Sequence, residues 1–325
     1  MLIKFFRLSY LPQFILLFFL ELVFWGGSIW HPVESSFETD VYPLYNILLN
    51  LTGDIIWLEI LLAFVLLYIE ALLVNIIATE NNLAPKNTLI PAMLFIILMS
   101  HSPDLTCLNP VLCANLFILL SVLIILKCYE ETNIINHVLS ASFFLSIASL
   151  FYFPAVFLIV WVWATFIIFR IANWREWIIS MIGMAIPYIY LFAYRYIIDM
   201  TSTFDDYGSY LSNVSVINTD YHRLTYISCG MIIIITLVSI FHILMKLKEK
   251  NINIRRKILV MIWFILISSL LLLYGGEHFL INESINFMPF TILLAFYIGF
   301  GQDRKWLEIY FLALVVLIIF NNYFF

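Results

Sequence analysis

The sequence predicts an all-α polytopic membrane protein, and three observations support this fold class. Of the 325 residues, 64% are hydrophobic and only 11% are charged, whereas a soluble domain is about 45–50% apolar and about 25% charged. The apolar residues form continuous runs of about 20, the length of a helix that crosses a bilayer. The basic residues collect in alternate connecting segments. This composition excludes a cytoplasmic enzyme and a nucleic-acid-binding protein, and the continuous apolar runs exclude a membrane β-barrel.

Polar residues divide the chain into about eleven predicted spans, which form one membrane domain over residues 1–325. Each span is predicted to be a helix, because a helix satisfies its own backbone hydrogen bonds inside a bilayer. The first run is interpreted as a retained span, since it contains Glu21 and no small-residue cleavage site follows it. The predicted spans are 11–30, 55–79, 88–101, 110–127, 136–151, 154–172, 177–196, 224–245, 258–275, 284–300 and 306–324.

The distribution of basic residues predicts a cytoplasmic N-terminus, because lysine and arginine concentrate on the cytoplasmic side of membrane proteins. In this orientation the inner segments hold 14 basic and 7 acidic residues, and the outer segments hold 2 basic and 11 acidic residues. The longest connections are then two outer loops, 31–54 and 197–223, and a basic cytoplasmic loop, 246–257.

The first outer loop contains an acidic pair. Glu38 and Asp40 lie two positions apart, with no lysine or arginine in the loop to balance them. They could bind Mg²⁺ or Mn²⁺, which prefer carboxylate ligands, or one of them could act as a general base. The alternative is a solvated acidic loop. Residues 41–53 are apolar but too short to span, and they predict an interfacial helix that ends at Gly53.

Further polar groups are expected at the outer face. His101 and Asp104 follow the third predicted span, where they could join the acidic pair around one cavity or simply cap helix ends. Arg195 and Arg223 flank the second outer loop. They could bind a phosphate, because the guanidinium group donates two parallel hydrogen bonds, or they could neutralise the nearby aspartates. His278 is expected in another outer polar cluster.

Two acidic residues lie deep within predicted spans. Burying Glu21 or Glu70 in a bilayer costs about 2.5–3.5 kcal/mol on insertion scales, which suggests a function such as a proton relay. The alternative is a hydrogen-bonded contact between helices. Cys107 and Cys113 could form a disulfide at the outer face or remain buried free thiols.

Tryptophans flank a predicted inner turn. Trp174 and Trp177 enclose Arg175 and Glu176 at the predicted cytoplasmic edge of the bilayer. Because tryptophan is enriched where the bilayer meets water, this segment is interpreted as a membrane anchor.

Two resemblances add expectations about function. The segments 145–155 (LSIASLFYFPA), 170–177 (RIANWREW) and 183–188 (GMAIPY) resemble an uncharacterised multi-pass inner-membrane family of the Bacteroidota, which implies a bacterial inner-membrane location. The span plan, Glu38-Thr-Asp40 and the turn from His101 to Asn115 resemble the GT-C class of membrane glycosyltransferases. That resemblance implies a carboxylate base or metal ligand in the first loop, and cations, here Arg195 and Arg223, that hold the phosphate of a polyprenyl-linked sugar.

Three functions follow as hypotheses. The first is a GT-C-like transferase that moves sugar from a polyprenyl-phosphate donor at the outer face. The second is a non-catalytic subunit of an inner-membrane envelope-biogenesis or secretion complex, with other membrane subunits as partners. The third is a proton-coupled transporter or flippase that uses Glu21 and Glu70. The lipid bilayer is an expected partner in all three, and nucleic acid in none.

Overall fold

The structure, a computed structural model, describes residues 5–30, 32, 42–53, 55–131, 134–171, 173–197, 222–271, 279–300 and 305–324. These residues form thirteen α-helices, four short 3₁₀ turns and no β-strand. The helices are α1 (Leu11–Trp30), α2 (Pro43–Thr52), α3 (Ile56–Glu80), α4 (Ile90–Met99), α5 (Pro110–Lys127), α6 (Ile135–Phe151), α7 (Ile159–Phe169), α8 (Trp174–Ile197), α9 (Arg223–Lys246), α10 (Ile252–Leu271), α11 (Phe279–Glu283), α12 (Phe287–Phe300) and α13 (Lys305–Phe324).

The all-α membrane class is confirmed by the length and composition of the helices. Within the described residues, seven helical segments are long and apolar enough to cross a bilayer: Leu11–Trp30, Ile56–Glu80, Pro110–Lys127, Trp174–Ile197, Arg223–Glu249, Phe279–Phe300 and Lys305–Tyr323. The other four predicted spans are also helical in their described residues. Three are shorter apolar helices, and α10 begins with a basic turn. A count of eleven crossings therefore stays a prediction.

The core of the bundle lies around α4, in which all ten residues are buried. It packs against α3 and α12, and α12 is itself buried along nearly its whole length. The outer helices differ, because α1, α8, α9 and α13 each expose many large apolar side chains. A surface of this kind suits contact with lipid, which is as apolar as those side chains.

Helices α6 and α8 pack closely through small residues. A Cβ added at Gly183 would lie 2.8 Å from the carbonyl oxygen of Leu139. Ser146 Oγ donates to the carbonyl oxygen of Met184, the residue after Gly183, at 2.7 Å. Ser149 Oγ lies 2.8 Å from the Tyr188 hydroxyl. These contacts are typical of membrane helices, which approach through glycine and serine and hydrogen-bond across the interface.

Helix ends that the charge distribution predicts to be outer contact one another. Ser28 of α1 hydrogen-bonds to Thr106 in the turn between α4 and α5. Near the C-terminus, Asn322 Nδ2 donates to the carbonyl oxygens of Phe24 and Ser100, at 3.1 and 3.0 Å. Elements far apart in sequence therefore meet at this end of the bundle.

Helix ends that are predicted to be inner also contact one another. Phe6 accepts a backbone hydrogen bond from Leu89, at the start of α4. At the start of α10, Lys257 is 2% exposed and forms an ion pair with Glu130, with Nζ and Oε1 2.5 Å apart. Lys250 lies over the Phe300 ring at the end of α12. In the contacts described here, predicted inner ends meet inner ends and predicted outer ends meet outer ends.

Candidate functional site

An apolar groove lies between α2, α6 and α8. Its volume is about 520 Å³, within the usual range for small-molecule sites. Helix α2 begins with Pro43 in its first turn and ends at Gly53, whose positive φ of 63° closes it with a left-handed cap. The groove is lined by Leu44, Ile47, Phe143, Leu150, Pro187, Tyr190, Leu191 and Tyr194.

Arg195 lies one helical turn beyond the groove. Residues four apart share a face of a helix, so Pro187, Leu191 and Arg195 form one stripe along α8. The Nη1 atom of Arg195 is buried and has no hydrogen-bond acceptor among the described residues, and no described carboxylate pairs with the guanidinium. An apolar groove and a guanidinium group without a carboxylate partner among the described residues therefore lie along the same face of α8.

Helix α2 is fixed against the turn between α4 and α5. Tyr45 is fully buried, and its hydroxyl donates to the carbonyl oxygen of Leu108 at 3.0 Å. At the end of the turn, Asn109 Oδ1 accepts from the Leu112 backbone N–H at 2.7 Å and caps α5, with Pro110 as its first residue. The groove therefore has a rigid support on the α2 side.

The structure places His101 and Asp104 in different environments. His101 is fully buried, and Asp104 is exposed and accepts a hydrogen bond from Ser102 Oγ at 3.1 Å. His101 lies in the turn that follows Met99, the last residue of α4. Its ring could bind a substrate as a hydrogen-bonding group.

Several buried polar groups meet around the His101 backbone. The His101 carbonyl oxygen accepts from Ser228 Oγ and from Asn321 Nδ2, each at 3.4 Å. The Nδ1 atom of His101 lies 2.9 Å from the Leu98 carbonyl oxygen and is assigned as the donor there. His101 Nε2, Ser100 Oγ and the Oδ1 atoms of Asn321 and Asn322 have no described partner. Buried groups of this kind are commonly satisfied by internal water.

Of the other predicted site residues, the structure describes only Arg223. Arg223 is exposed at the start of α9, next to His222, whose side chain caps that helix. Glu38, Asp40 and His278 lie outside the described residues. Among the residues that are described, no group of three His, Cys, Asp or Glu side chains could hold a metal ion. The prediction of Mg²⁺ or Mn²⁺ thus rests on Glu38 and Asp40 alone.

The acids within the spans are fully buried. None of the four carboxyl oxygens of Glu21 and Glu70 has a hydrogen-bond partner among the described residues. The two groups are near enough to interact electrostatically. In α1, Glu21 shares its face with Phe18 and Trp25, whose rings contact Phe64 of α3. The pair therefore lies among α1, α3 and α5, since Glu70 also interacts with Leu116 and Cys113 of α5.

The four cysteines are free thiols. Cys107 and Cys113 are therefore not joined in this structure. In the turn before α5, burial raises the pKa of the Cys107 thiol to about 12, and the charges of Asp104 and Glu59 contribute to the rise. This thiol is protonated at neutral pH, which disfavours oxidation because the thiolate is the reactive form.

Sequence reasoning missed Asn321 and Asn322 as polar residues that bond to the segment between α4 and α5 and to α1. They are the only amides in the last apolar run, a signal that could have identified them. It also missed the groove, although Pro187 interrupts an otherwise apolar run.

The sequence model of one protein family, described as a family of unknown function, matches residues 52–324.

The chain belongs to the DUF6427 family. No curated protein and no solved structure matches it. The part of this DUF6427 chain that matches the family includes α3 to α13, with Glu70, His101, Arg195 and Arg223. The acidic pair of the first loop and Glu21 precede the matched part.

Proposed function

We propose that this protein is a GT-C-like transferase of the bacterial inner membrane that moves sugar from a polyprenyl-phosphate donor at the outer face. The observation that carries the proposal is the apolar groove with Arg195 one helical turn beyond it on α8, a cation that has no ion-pair partner among the described residues. An isoprenoid chain is a suitable occupant for walls of leucine, isoleucine and phenylalanine. A guanidinium group suits its phosphate, because the two form parallel, charge-assisted hydrogen bonds.

The acidic pair lies close to this groove along the chain. Asp40 precedes Pro43 by three positions, and three residues of fully extended chain reach about 11 Å at most. Pro43 begins the helix that provides Leu44 and Ile47 to the groove wall. This short separation along the chain supports a catalytic role for the acids in our proposal.

The proposed reaction assigns one role to each group. The hydroxyl oxygen of the acceptor forms a bond to the anomeric carbon, and the carboxylate of Asp40 or Glu38 takes the hydroxyl proton. The bond from that carbon to the phosphate oxygen breaks, and the electron pair leaves with polyprenyl phosphate. Arg195 stabilises the charge of this leaving group. A Mg²⁺ or Mn²⁺ ion on the acidic pair would supply further charge stabilisation when bound.

The topology that we propose has eleven crossings with the N-terminus in the cytoplasm. It is supported by the contacts described above, which join predicted outer ends to outer ends and inner ends to inner ends. The parallel packing of α6 and α8 is also expected, because both would cross from inside to outside.

The experiment is to measure envelope glycans and lipid-linked sugars in cells that carry Asp40→Asn, Glu38→Gln or Arg195→Gln. We expect loss of the glycan with accumulation of the donor in the acid variants, and weakened donor use in Arg195→Gln. Arg175→Gln, at an exposed position outside the groove, is the matched control. Full glycan production in all three variants contradicts the proposal, and a stoichiometric membrane partner on purification would then favour the subunit hypothesis.

A second candidate function, proton-coupled transport, is favoured by one observation: Glu21 and Glu70 are fully buried and lack hydrogen-bond partners among the described residues. An unpaired acid inside a bilayer is costly, so a stabilising role does not explain the pair. The test compares Glu21→Gln and Glu70→Gln with the parent protein. Lost function with unchanged or raised thermal stability supports this candidate, and unchanged function in both variants excludes it.

A further inference from the structure

A second cavity lies at the opposite end of α8, between the end of α7 and the start of α8. Its volume is about 540 Å³. It is on the side of the bundle where the basic residues concentrate, next to Arg256, whose Nη1 donates to the Phe169 carbonyl oxygen at 3.5 Å. The cavity is lined by Phe166, Ile167, Arg170, Ile171, Trp174 and Trp177.

One wall of this cavity is fixed by aromatic packing. The Trp177 ring stacks on Trp163 with centroids 6.0 Å apart, and Phe166 packs edge-on against Trp177 at 5.8 Å. Trp163 Nε1 donates to Ser180 Oγ at 3.1 Å. In contrast, Trp174 is 75% exposed and packs little against the bundle. The wall is therefore preformed, and an apolar side chain remains available at the rim.

Arg170 supplies the charge of this cavity. It caps the end of α7 in the left-handed region, with φ of 62°. Its guanidinium has no acidic partner and no hydrogen-bond acceptor among the described residues. The nearest acid in sequence, Glu176, is buried, accepts from Asn173 at 3.2 Å and does not line the cavity. The neighbouring cation Arg256 already contacts Phe169 and the Tyr129 ring.

We propose that this cavity binds an anionic phospholipid of the inner leaflet, with the phosphate on Arg170 and the glycerol and upper acyl chain against Trp174 and Trp177. The walls are apolar and the lining holds one cation, Arg170, so an amphiphile with one anionic group matches the site in both respects. A soluble anion would leave the aromatic walls without contact. Tryptophan side chains are also suited to the headgroup level of a bilayer.

The test uses the purified full-length protein, stripped of lipid in detergent and titrated with phosphatidylglycerol or phosphatidylcholine, with bound lipid counted by native mass spectrometry. We expect the parent to bind one phosphatidylglycerol about five-fold more tightly than phosphatidylcholine, the factor expected for one arginine at a membrane surface. Arg170→Gln should remove this preference. Arg170→Asn should do the same with a residue that tolerates the left-handed backbone, and Arg170→Lys should retain part of it.

Arg175→Gln is the matched control, because Arg175 is exposed on the same turn and does not line the cavity. Its preference should equal that of the parent. The proposal is overturned if Arg170→Gln keeps the parent's preference for phosphatidylglycerol over phosphatidylcholine. It is also overturned if Arg175→Gln loses that preference to the same extent as Arg170→Gln. Competition by millimolar glycerol phosphate would overturn the lipid assignment in favour of a soluble phosphate. None of these outcomes depends on transferase activity.

Discussion

The Asn322 side chain donates to the Ser100 carbonyl oxygen at 3.0 Å across 222 positions of sequence. The same amide also bonds to Phe24 of α1. The C-terminal helix is thereby attached to α1 and to the end of α4. In a membrane such bonds matter because the apolar surroundings offer no water to replace them.

We expect Asn322→Leu to destabilise the protein by about 2 kcal/mol, since two hydrogen bonds are lost at about 0.6–1 kcal/mol each and two carbonyl oxygens lose a donor. Thermal unfolding in detergent is the measurement. The control is Tyr323→Phe, which removes one partly exposed hydrogen bond to Val23 and should cost less. Equal midpoints for Asn322→Leu and the parent would show that this attachment is not stabilising.

The helices could be predicted from the sequence and the groove could not, for a physical reason. A run such as Ile90–Met99 is apolar at every position, so its helix follows from the needs of the backbone in a bilayer. The groove depends instead on how α2 and α8 approach α6, which no local pattern encodes. In the same way, Arg195 was recognised as a cation, but its alignment with Pro187 and Leu191 became visible only on the folded helix.

Two of the three segments that resemble the Bacteroidota family, 145–155 and 183–188, have a role in helix packing. Ser146 and Ser149 belong to the first quoted segment, and Gly183, Met184 and Tyr188 belong to the third. The two segments contact each other across the α6–α8 interface. The quoted pattern is thus explained at these positions by close helix packing.

Gly183→Ala should destabilise the bundle by about 1–3 kcal/mol, because the added Cβ would lie 2.8 Å from backbone oxygen and the helices must separate. Gly230→Ala in α9 is the matched control, since a Cβ there meets nothing within 4 Å. The control should be neutral or stabilising by up to about 1 kcal/mol, as expected for glycine replaced in a helix. Both are compared by thermal unfolding in detergent, and the reverse order contradicts the packing described here.

The Cys107 thiol should react slowly with maleimide at pH 8. Its pKa is raised to about 12, so the thiolate, which is the reactive form, is scarce four pH units lower. The rate should rise with pH up to that value. Asp104→Asn removes one of the charges that raise the pKa and should therefore lower the pKa and accelerate the reaction. The measurement is the rate against pH by mass spectrometry, and a plateau near pH 9 in the parent would contradict the assignment.

The orientation of the bundle decides whether the groove, Arg195 and the acidic pair face the outside, and cysteine labelling tests it most directly. Asp104→Cys places a thiol at the exposed position of the turn between α4 and α5, and Lys248→Cys places one at an exposed position in the basic segment after α9. Each is treated with a membrane-impermeant maleimide in intact spheroplasts, with the parent chain as background. We predict immediate labelling of Asp104→Cys and labelling of Lys248→Cys only after the membrane is permeabilised. The opposite pattern would contradict the orientation and the transferase proposal with it.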